Sequence, residues 1–219
     1  KRILEKHIYK HNEELKVIVE EAQRILDSVL SEPEVVNNIT EIRNVSTDMY
    51  THCINVCTLS TIMALRLKMS NKQIHNIAMG AILHDIGLRY INVPYVNVSE
   101  NKMTNKDAVE YKKHTIFGYS SLQDEEWLPD VAKEIILFHH ERIDGNGYPE
   151  HLKGNEIPLA ARIVSVADTY HALVSDRPYR KGMPIEKACQ ILKEGAGTQW
   201  DPDLVRRFIS IAPSLTTSV

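Results

Sequence analysis

Apolar positions recur every three or four residues along most of the chain, the spacing of helices that bury one face. Leu15, Val19, Ala22, Leu26 and Val29 alternate spacings of four and three, a heptad-like stripe flanked by Glu and Lys. A stripe of that length serves equally as a coiled-coil seam, making a homodimer, or as the face of a helix packed on its own domain. Pro33 ends this helix, since the residue before a proline is pushed out of the α region. From Asp48 to Lys68 the period places His52, Val56, Leu59 and Met63 on one face. From Asn71 to Ile86 it aligns Ile74, Ile77, Ala81 and His84, with Gly87 as a C-terminal stop. Thr104 with Asp107 reads as the start of the helix that carries His114. Another helix, Val131 to His140, runs into a glycine-rich loop, Asp144-Gly145-Asn146-Gly147-Tyr148-Pro149. Pro158 opens a helix through Ser175, and two more follow, Pro184 to Glu194 and Pro202 to Ile211. Strand-like alternation is confined to Tyr90–Val98, where Pro94 argues against a strand. The fold class is all-α.

Composition narrows the partners more than the fold. The 219 residues, 43% of them apolar, suffice for one well-buried core. Twenty-six basic against 29 acidic side chains leave a formal charge of −3, which gives no footprint for a nucleic-acid polymer. The absence of an 18-residue apolar run predicts no membrane span. The start at Lys1 resembles no signal peptide, and the missing initiator Met suggests a piece of something longer, such as the cytoplasmic part of a sensor. Three cysteines argue against a disulfide framework and fit a reducing cytoplasm. Cys53 and Cys57, four apart, read as small apolar fillers of a helix face, with chelation the lesser alternative.

His7, His11 and His75 stand in polar surroundings and read as surface residues. Most other histidines fall where the helical period demands burial. His52 continues into the line Val56, Leu59, Met63, and Asp48 lies one turn before it on the same face. His84 extends Ile77 and Ala81; Asp85 follows from Ala78, Ala81 and Ile82. His139 extends Val131 and Ile135, His140 extends Ile136, and Asp168 extends Ala161 and Val164. Separate helices thus send ionisable groups into one core. Buried carboxylates without cations would cost several kcal/mol each, so bound metal is expected. Imidazole plus carboxylate suits iron, manganese or zinc better than calcium. Six to eight such ligands exceed the four of a structural zinc site and imply two or three ions. The carboxylate of the His84-Asp85 pair can bridge two ions, and an ion pair about 3.5–4 Å apart can clamp both attacking and leaving oxygens of a phosphoryl displacement.

His52, His84-Asp85-Ile86-Gly87, His114, His139-His140-Glu141 and Asp168, in that order, resemble the HD superfamily of metal-dependent phosphohydrolases. The loop Asp144–Pro149 narrows the resemblance to the HD-GYP branch of cyclic di-GMP phosphodiesterases. Leu159-Ala160-Ala161-Arg162-Ile163, Val166-Ala167-Asp168, Arg177-Pro178-Tyr179-Arg180 and Thr198-Gln199-Trp200-Asp201-Pro202 extend it across residues 45 to 210 or so. The resemblance implies an HD-type helical bundle over residues 33–219, preceded by a helical arm over 1–32 for dimerisation or signal input. It implies His52, His84, Asp85, His114, His139, His140 and Asp168 as ligands of iron or manganese, with Asp85 bridging and His84 beside it in catalysis. Asp48 would join a third metal. Arg177 and Arg180 would contact substrate phosphate, and the loop with Tyr148 would border the site and bind diguanylate cyclase (GGDEF) domains. The sequence departs from the family pattern at Leu88, usually Lys, at His171, usually Asp, and at His151, commonly Gly. His171 lies on the face of Val164, Ala167 and Asp168, so a ligand, phosphate-contact or proton-donor role stays open. The ligand set is intact while the substrate-contacting set is altered. A cyclic di-GMP phosphodiesterase is therefore the leading expectation, with a non-catalytic signalling module and a phosphohydrolase of another nucleotide as alternatives.

Overall fold

The computed structural model describes residues 13–93 and 102–214. Among them the regular structure is helical, and isolated bridges pair only Arg177 with Arg180 and Ala196 with Trp200. The helices are α1 (Glu13–Val29), α2 (Pro33–Val45), α3 (Thr47–Arg66), α4 (Asn71–Leu83), α5 (Asn105–Lys112), α6 (His114–Leu122), α7 (Asp130–Phe138), α8 (Leu159–Val174), α9 (Ile185–Gly195) and α10 (Pro202–Ile209). A 3₁₀ turn, Ile86–Tyr90, follows α4.

α3 is the hub. Ser46 caps it by accepting from the Met49 amide at 3.2 Å. From His52 to Ala64 the helix is buried on all sides, because α1, α2, α4 and α8 all pack against it. Polar residues survive in so enclosed a helix by bonding back to their own turn. Thr58 and Thr61 hydroxyls donate to the carbonyls of Ile54 and Cys57 at 3.0 and 2.8 Å. Cys53 and Cys57 are buried fillers; the Cys57 thiol donates to the Ala78 carbonyl at 3.3 Å, joining α3 to α4.

The stripe of α1 is wholly buried, from Leu15 at 3% exposure to Leu26 and Val29 at 0%. It faces α3 and α4 of the same chain. Of the two uses of a heptad-like stripe, the structure takes the packed helix. The apolar residues of α1 are continuous with a core that extends to Ala212, so the expected arm is docked over residues 13–29. His7 and His11 lie outside the described residues.

Other elements differ from the sequence reading for local reasons. Pro33 opens α2 as its first residue instead of ending α1, whose last helical residue is Val29. That position tolerates proline because its amide would have no helical partner. α2 itself, with Val35, Ile39 and Ile42 buried, was not anticipated. The helix expected to carry His114 is two: Thr104 caps α5, which ends at Lys112, and His114 begins α6. Tyr90 closes the 3₁₀ turn, and residues 94–98 of the strand-like stretch lie outside the described residues. Gly87 is not a helix stop. A Cβ there would lie 1.9 Å from the His114 carbonyl oxygen and 2.6 Å from the Gly118 nitrogen. Glycine therefore lets the 3₁₀ turn lie directly on the backbone of α6. No described helix is long and apolar enough to cross a membrane.

Candidate metal centre

Helix ends do most of the positioning. His84 caps the C-terminus of α4 and His139 that of α7, while His114 is the first residue of α6. Only His52 and Asp168 project from within helices, α3 and α8. Helix termini turn sharply, so adjacent residues such as His84 and Asp85, or His139 and His140, can both face one point.

That point is the Asp85 carboxylate. Its Oδ2 lies 3.4 Å from His84 Nε2 and 3.9 Å from His52 Nε2. Its Oδ1 lies 3.4 Å from His114 Nε2 and 3.7 Å from His139 Nε2. Two groups able to hold an ion result: His52, His84 and Asp85 on one side, Asp85, His114, His139 and His140 on the other. Asp85 belongs to both. Asp168 Oδ1 sits 3.0 Å from His52 Nε2, extending the first group.

The imidazoles are oriented as metal ligands are. Nδ1 of His84 donates to the Ala81 carbonyl and Nδ1 of His114 to the Tyr111 carbonyl, each at 2.7 Å. Nδ1 of His139 lies 3.0 and 3.1 Å from the carbonyls of Ile135 and Ile136. A carbonyl can only accept, so each Nδ1 carries hydrogen and each Nε2 of a neutral ring presents a lone pair. Those three Nε2 atoms are buried without a hydrogen-bond partner. Buried polar atoms are seldom left so. In their neutral forms the three rings turn lone pairs toward one carboxylate, an arrangement that fits divalent metal.

The electrostatics agree. Burial holds His52 and His140 below the usual imidazole range, and it pushes His114 down to about 4 against the pull of Asp85. These rings are neutral, the ligating form. Burial also acts on His84, but the Asp85 carboxylate outweighs it and raises this ring to about 9. Asp85, despite burial, is kept well below the usual carboxylate range by His84 and its neighbours. In metal-free protein, His84 thus carries a proton that ligation must displace. Between about pH 6 and 8, metal uptake should release about one proton from His84, and affinity should fall roughly tenfold per pH unit of acidification. Chelator-competition titrations at several pH values measure this, and a flat affinity would contradict it.

His52, Asp85, His140 and Asp168 of the cluster line a cavity of about 580 Å³. Tyr148 lines it, stacked on His140 with ring centroids 4.8 Å apart and 22° between planes. Gly147 makes that possible, because a Cβ there would strike the Arg142 nitrogen at 2.3 Å. Arg177 also faces the cavity, its Nη2 3.2 Å from His52 Nδ1. Arg180, expected beside it as a phosphate contact, borders the cavity, but its guanidinium donates to the carbonyls of Leu173, Ser175 and Lys181 at 3.1, 3.4 and 3.2 Å, and to that of Ala172. It caps the end of α8. His171 is buried with Nδ1 2.8 Å from His52 Nδ1 and Nε2 2.9 Å from Ser175 Oγ.

Asp48, Leu88, His151 and His75 stand outside the two ligand groups. Asp48 is exposed in the first turn of α3 and is in neither ligand group. Sharing a face with His52 leaves it a full turn farther along the axis, where a short side chain stays in solvent and favours the helix N-terminus; Met49, the next residue, turns inward and lines the cavity. Leu88 does not line the cavity; it is buried in the apolar core of a turn packed on α2 and α6. His151 takes a positive φ of 59°, a backbone setting in which glycine is at ease. His75, read as a surface residue, is half-buried with Nε2 2.7 Å from Glu32.

Lys112 escapes the sequence reading, and Glu141, Arg162 and Asp201 enter it only as members of motifs, without a role. Lys112 stands at the cavity with Nζ 5.2 Å from the Tyr148 ring centroid, and no period marks it. Glu141 accepts from the amides of Glu150 and Leu152 at 2.6 and 3.1 Å, closing the loop; its adjacency to two histidines was the signal. Arg162 pairs with Asp201 at 2.7 Å, which ties the segments 159–163 and 198–202 together as scaffold.

Residues 13–204 match the HD domain family. The chain is 32% identical over 182 residues to a cyclic di-GMP phosphodiesterase of Pseudomonas aeruginosa, covering 83% of this chain and 44% of that protein. It is 32% identical over 174 residues to a 3'3'-cGAMP-specific phosphodiesterase of Vibrio cholerae, covering 77% and 37%. The chain thus spans less than half the length of these curated relatives. Among solved structures it resembles an HDG"Y"P protein of Bdellovibrio bacteriovorus, with a TM-score of 0.65, 22% identity, and 95% and 76% of the two chains covered; that likeness is one of fold.

Proposed function

The chain belongs to the HD domain family, and on that premise we propose that it is a metal-dependent phosphodiesterase hydrolysing cyclic di-GMP to the linear dinucleotide, GMP or both. The observation that carries this reading is the pair of ligand groups sharing Asp85, which lines a cavity large enough for a nucleotide. Two ions, iron or manganese by ligand chemistry, would be held by His52, His84 and Asp168 on one side and by His114, His139 and His140 on the other. Bound there, they supply Lewis-acid activation of water and charge for a phosphodiester. The exposed position of Asp48 favours two ions over three.

The chain's own residues do the rest. Asp85 fixes the spacing of the two groups. Arg177 offers a planar guanidinium for a phosphate, and Arg180 braces the turn that presents it: each of the two residues donates its backbone amide to the other's carbonyl, at 2.8 and 3.0 Å. Lys112 supplies a second cation at the cavity, the charge that Leu88 does not provide. The Tyr148 ring forms an aromatic wall against which a base can lie. The HD-GYP loop sequence and the name of the Pseudomonas relative favour cyclic di-GMP; the equal identity to a 3'3'-cGAMP-specific enzyme makes that dinucleotide the second reading.

Anaerobic incubation of iron- or manganese-loaded protein with each dinucleotide, followed by chromatography, tests this. Turnover of cyclic di-GMP that a chelator abolishes is the expected result. Binding of nucleotide without turnover under either metal would instead assign a signalling module.

A further inference from the structure

Nδ1 of His52 faces side chains, whereas His84, His114 and His139 each lock theirs on a backbone carbonyl. Two side chains approach this nitrogen: His171 Nδ1 at 2.8 Å and Arg177 Nη2 at 3.2 Å. They make opposite demands. A guanidinium has hydrogens and no lone pair, so Arg177 needs a bare Nδ1. A neutral imidazole ligating through Nε2 carries its hydrogen on Nδ1 and needs an acceptor there. The far side of His171 closes the chain of bonds, for its Nε2 lies 2.9 Å from Ser175 Oγ.

We propose that His171 is a positioning residue for the metal ligand His52. It accepts the Nδ1 hydrogen of His52 at its own Nδ1 and is held in that tautomer by donating from Nε2 to Ser175. With the ion bound, every atom balances: His52 Nε2 and Asp168 Oδ1, 3.0 Å apart, both turn lone pairs to the ion, His171 has one donor and one acceptor in use, and the Ser175 oxygen accepts. The same hydrogen on His52 bars Arg177 from that nitrogen and leaves its guanidinium to the cavity. An imidazole thereby does what a carboxylate would do at this place: orient the ligand ring. Its geometry makes it neither a phosphate contact nor a first ligand, since its two nitrogens are turned to His52 and Ser175.

The inference rests on the metal-centre reading, and the test separates the two. Metal content and affinity of the full chain are measured by elemental analysis and chelator competition with manganese, for wild type, His171→Phe, His171→Asp and Ser175→Ala. His171→Phe keeps an aromatic volume without an acceptor and should bind one of the two ions about 10- to 100-fold more weakly. His171→Asp restores an acceptor and should stay within about threefold of wild type, while Ser175→Ala should fall between. Circular-dichroism melts of the metal-free proteins exclude simple unfolding. A folded His171→Phe that binds both ions like wild type overturns the role of His171 alone. A wild-type chain that takes up no manganese overturns the metal centre and this inference together.

Discussion

Replacing Asp85 by Asn should reduce bound metal to less than one ion per chain and lower phosphodiesterase turnover by roughly a thousandfold or more. Asn has the same shape, but it carries no charge and only one acceptor oxygen. In the wild type the two carboxylate oxygens divide the work, Oδ2 toward His84 and His52, Oδ1 toward His114 and His139. One amide oxygen cannot serve both groups, and the amide hydrogens would point at one of them. Loss of a bridging charge from a two-ion site is worth several kcal/mol of transition-state stabilisation, and about 4 kcal/mol corresponds to about a thousandfold in rate. The metal-free fold should survive, because Asn fills the same volume and His84, which chiefly the Asp85 carboxylate holds in its charged form, then loses its proton and leaves no unpaired buried charge. Elemental analysis, a melting curve and the chromatographic assay read the three quantities. Two tightly held ions in the Asn variant would refute Asp85 as the shared ligand.

The second large effect is expected at a residue with no side chain. Gly87→Ala should lower the melting temperature by roughly 2–12 °C and weaken metal binding at least tenfold. The added Cβ would meet backbone, the carbonyl oxygen of His114 and the nitrogen of Gly118, and backbone cannot rotate aside as a side-chain tip does. Overpacking of this kind costs about 1–3 kcal/mol, and each kcal/mol moves the transition of a chain this size by about 2–4 °C. Relief requires the 3₁₀ turn and α6 to separate. Asp85 immediately precedes that turn and His114 begins that helix, so the separation pulls apart two ligands whose facing atoms now lie 3.4 Å apart. A stability loss without weaker metal binding would mean that Gly87 serves packing alone. The paired loss is what distinguishes a glycine that aligns the centre from one that only fits the core.

His114 and Asp85 also show how far a linear reading reaches. The helical period alone was enough to point His52, His84, Asp85, His139 and Asp168 inward, because a polar residue in the line of an apolar face has nowhere else to go. The same period yielded the all-α class, the placement of α3, α4, α7, α8, α9 and α10 to within a few residues, and the buried stripe of α1. It could not say against what that stripe packs, since a heptad seam and a core-facing helix share one pattern; contact with α3 and α4 decided this. Nor could it rank Asp48 against Met49, one residue apart at a helix start where a small rotation exchanges solvent for cavity.

Roles that depend on distance lay outside the sequence for the same reason. Arg177 and Arg180 occur in one short motif, yet one faces a histidine of the cluster and the other the carbonyls ending α8. His171 departs from the family pattern by residue type, and only its 2.8 Å approach to His52 reveals what the imidazole can do there. Periodicity determined which side chains leave the water, because burial is a property of a helix face. Which atoms then meet is fixed by how helices from distant parts of the chain cross, and hydrogen bonds and metal ligation act only across those few ångströms.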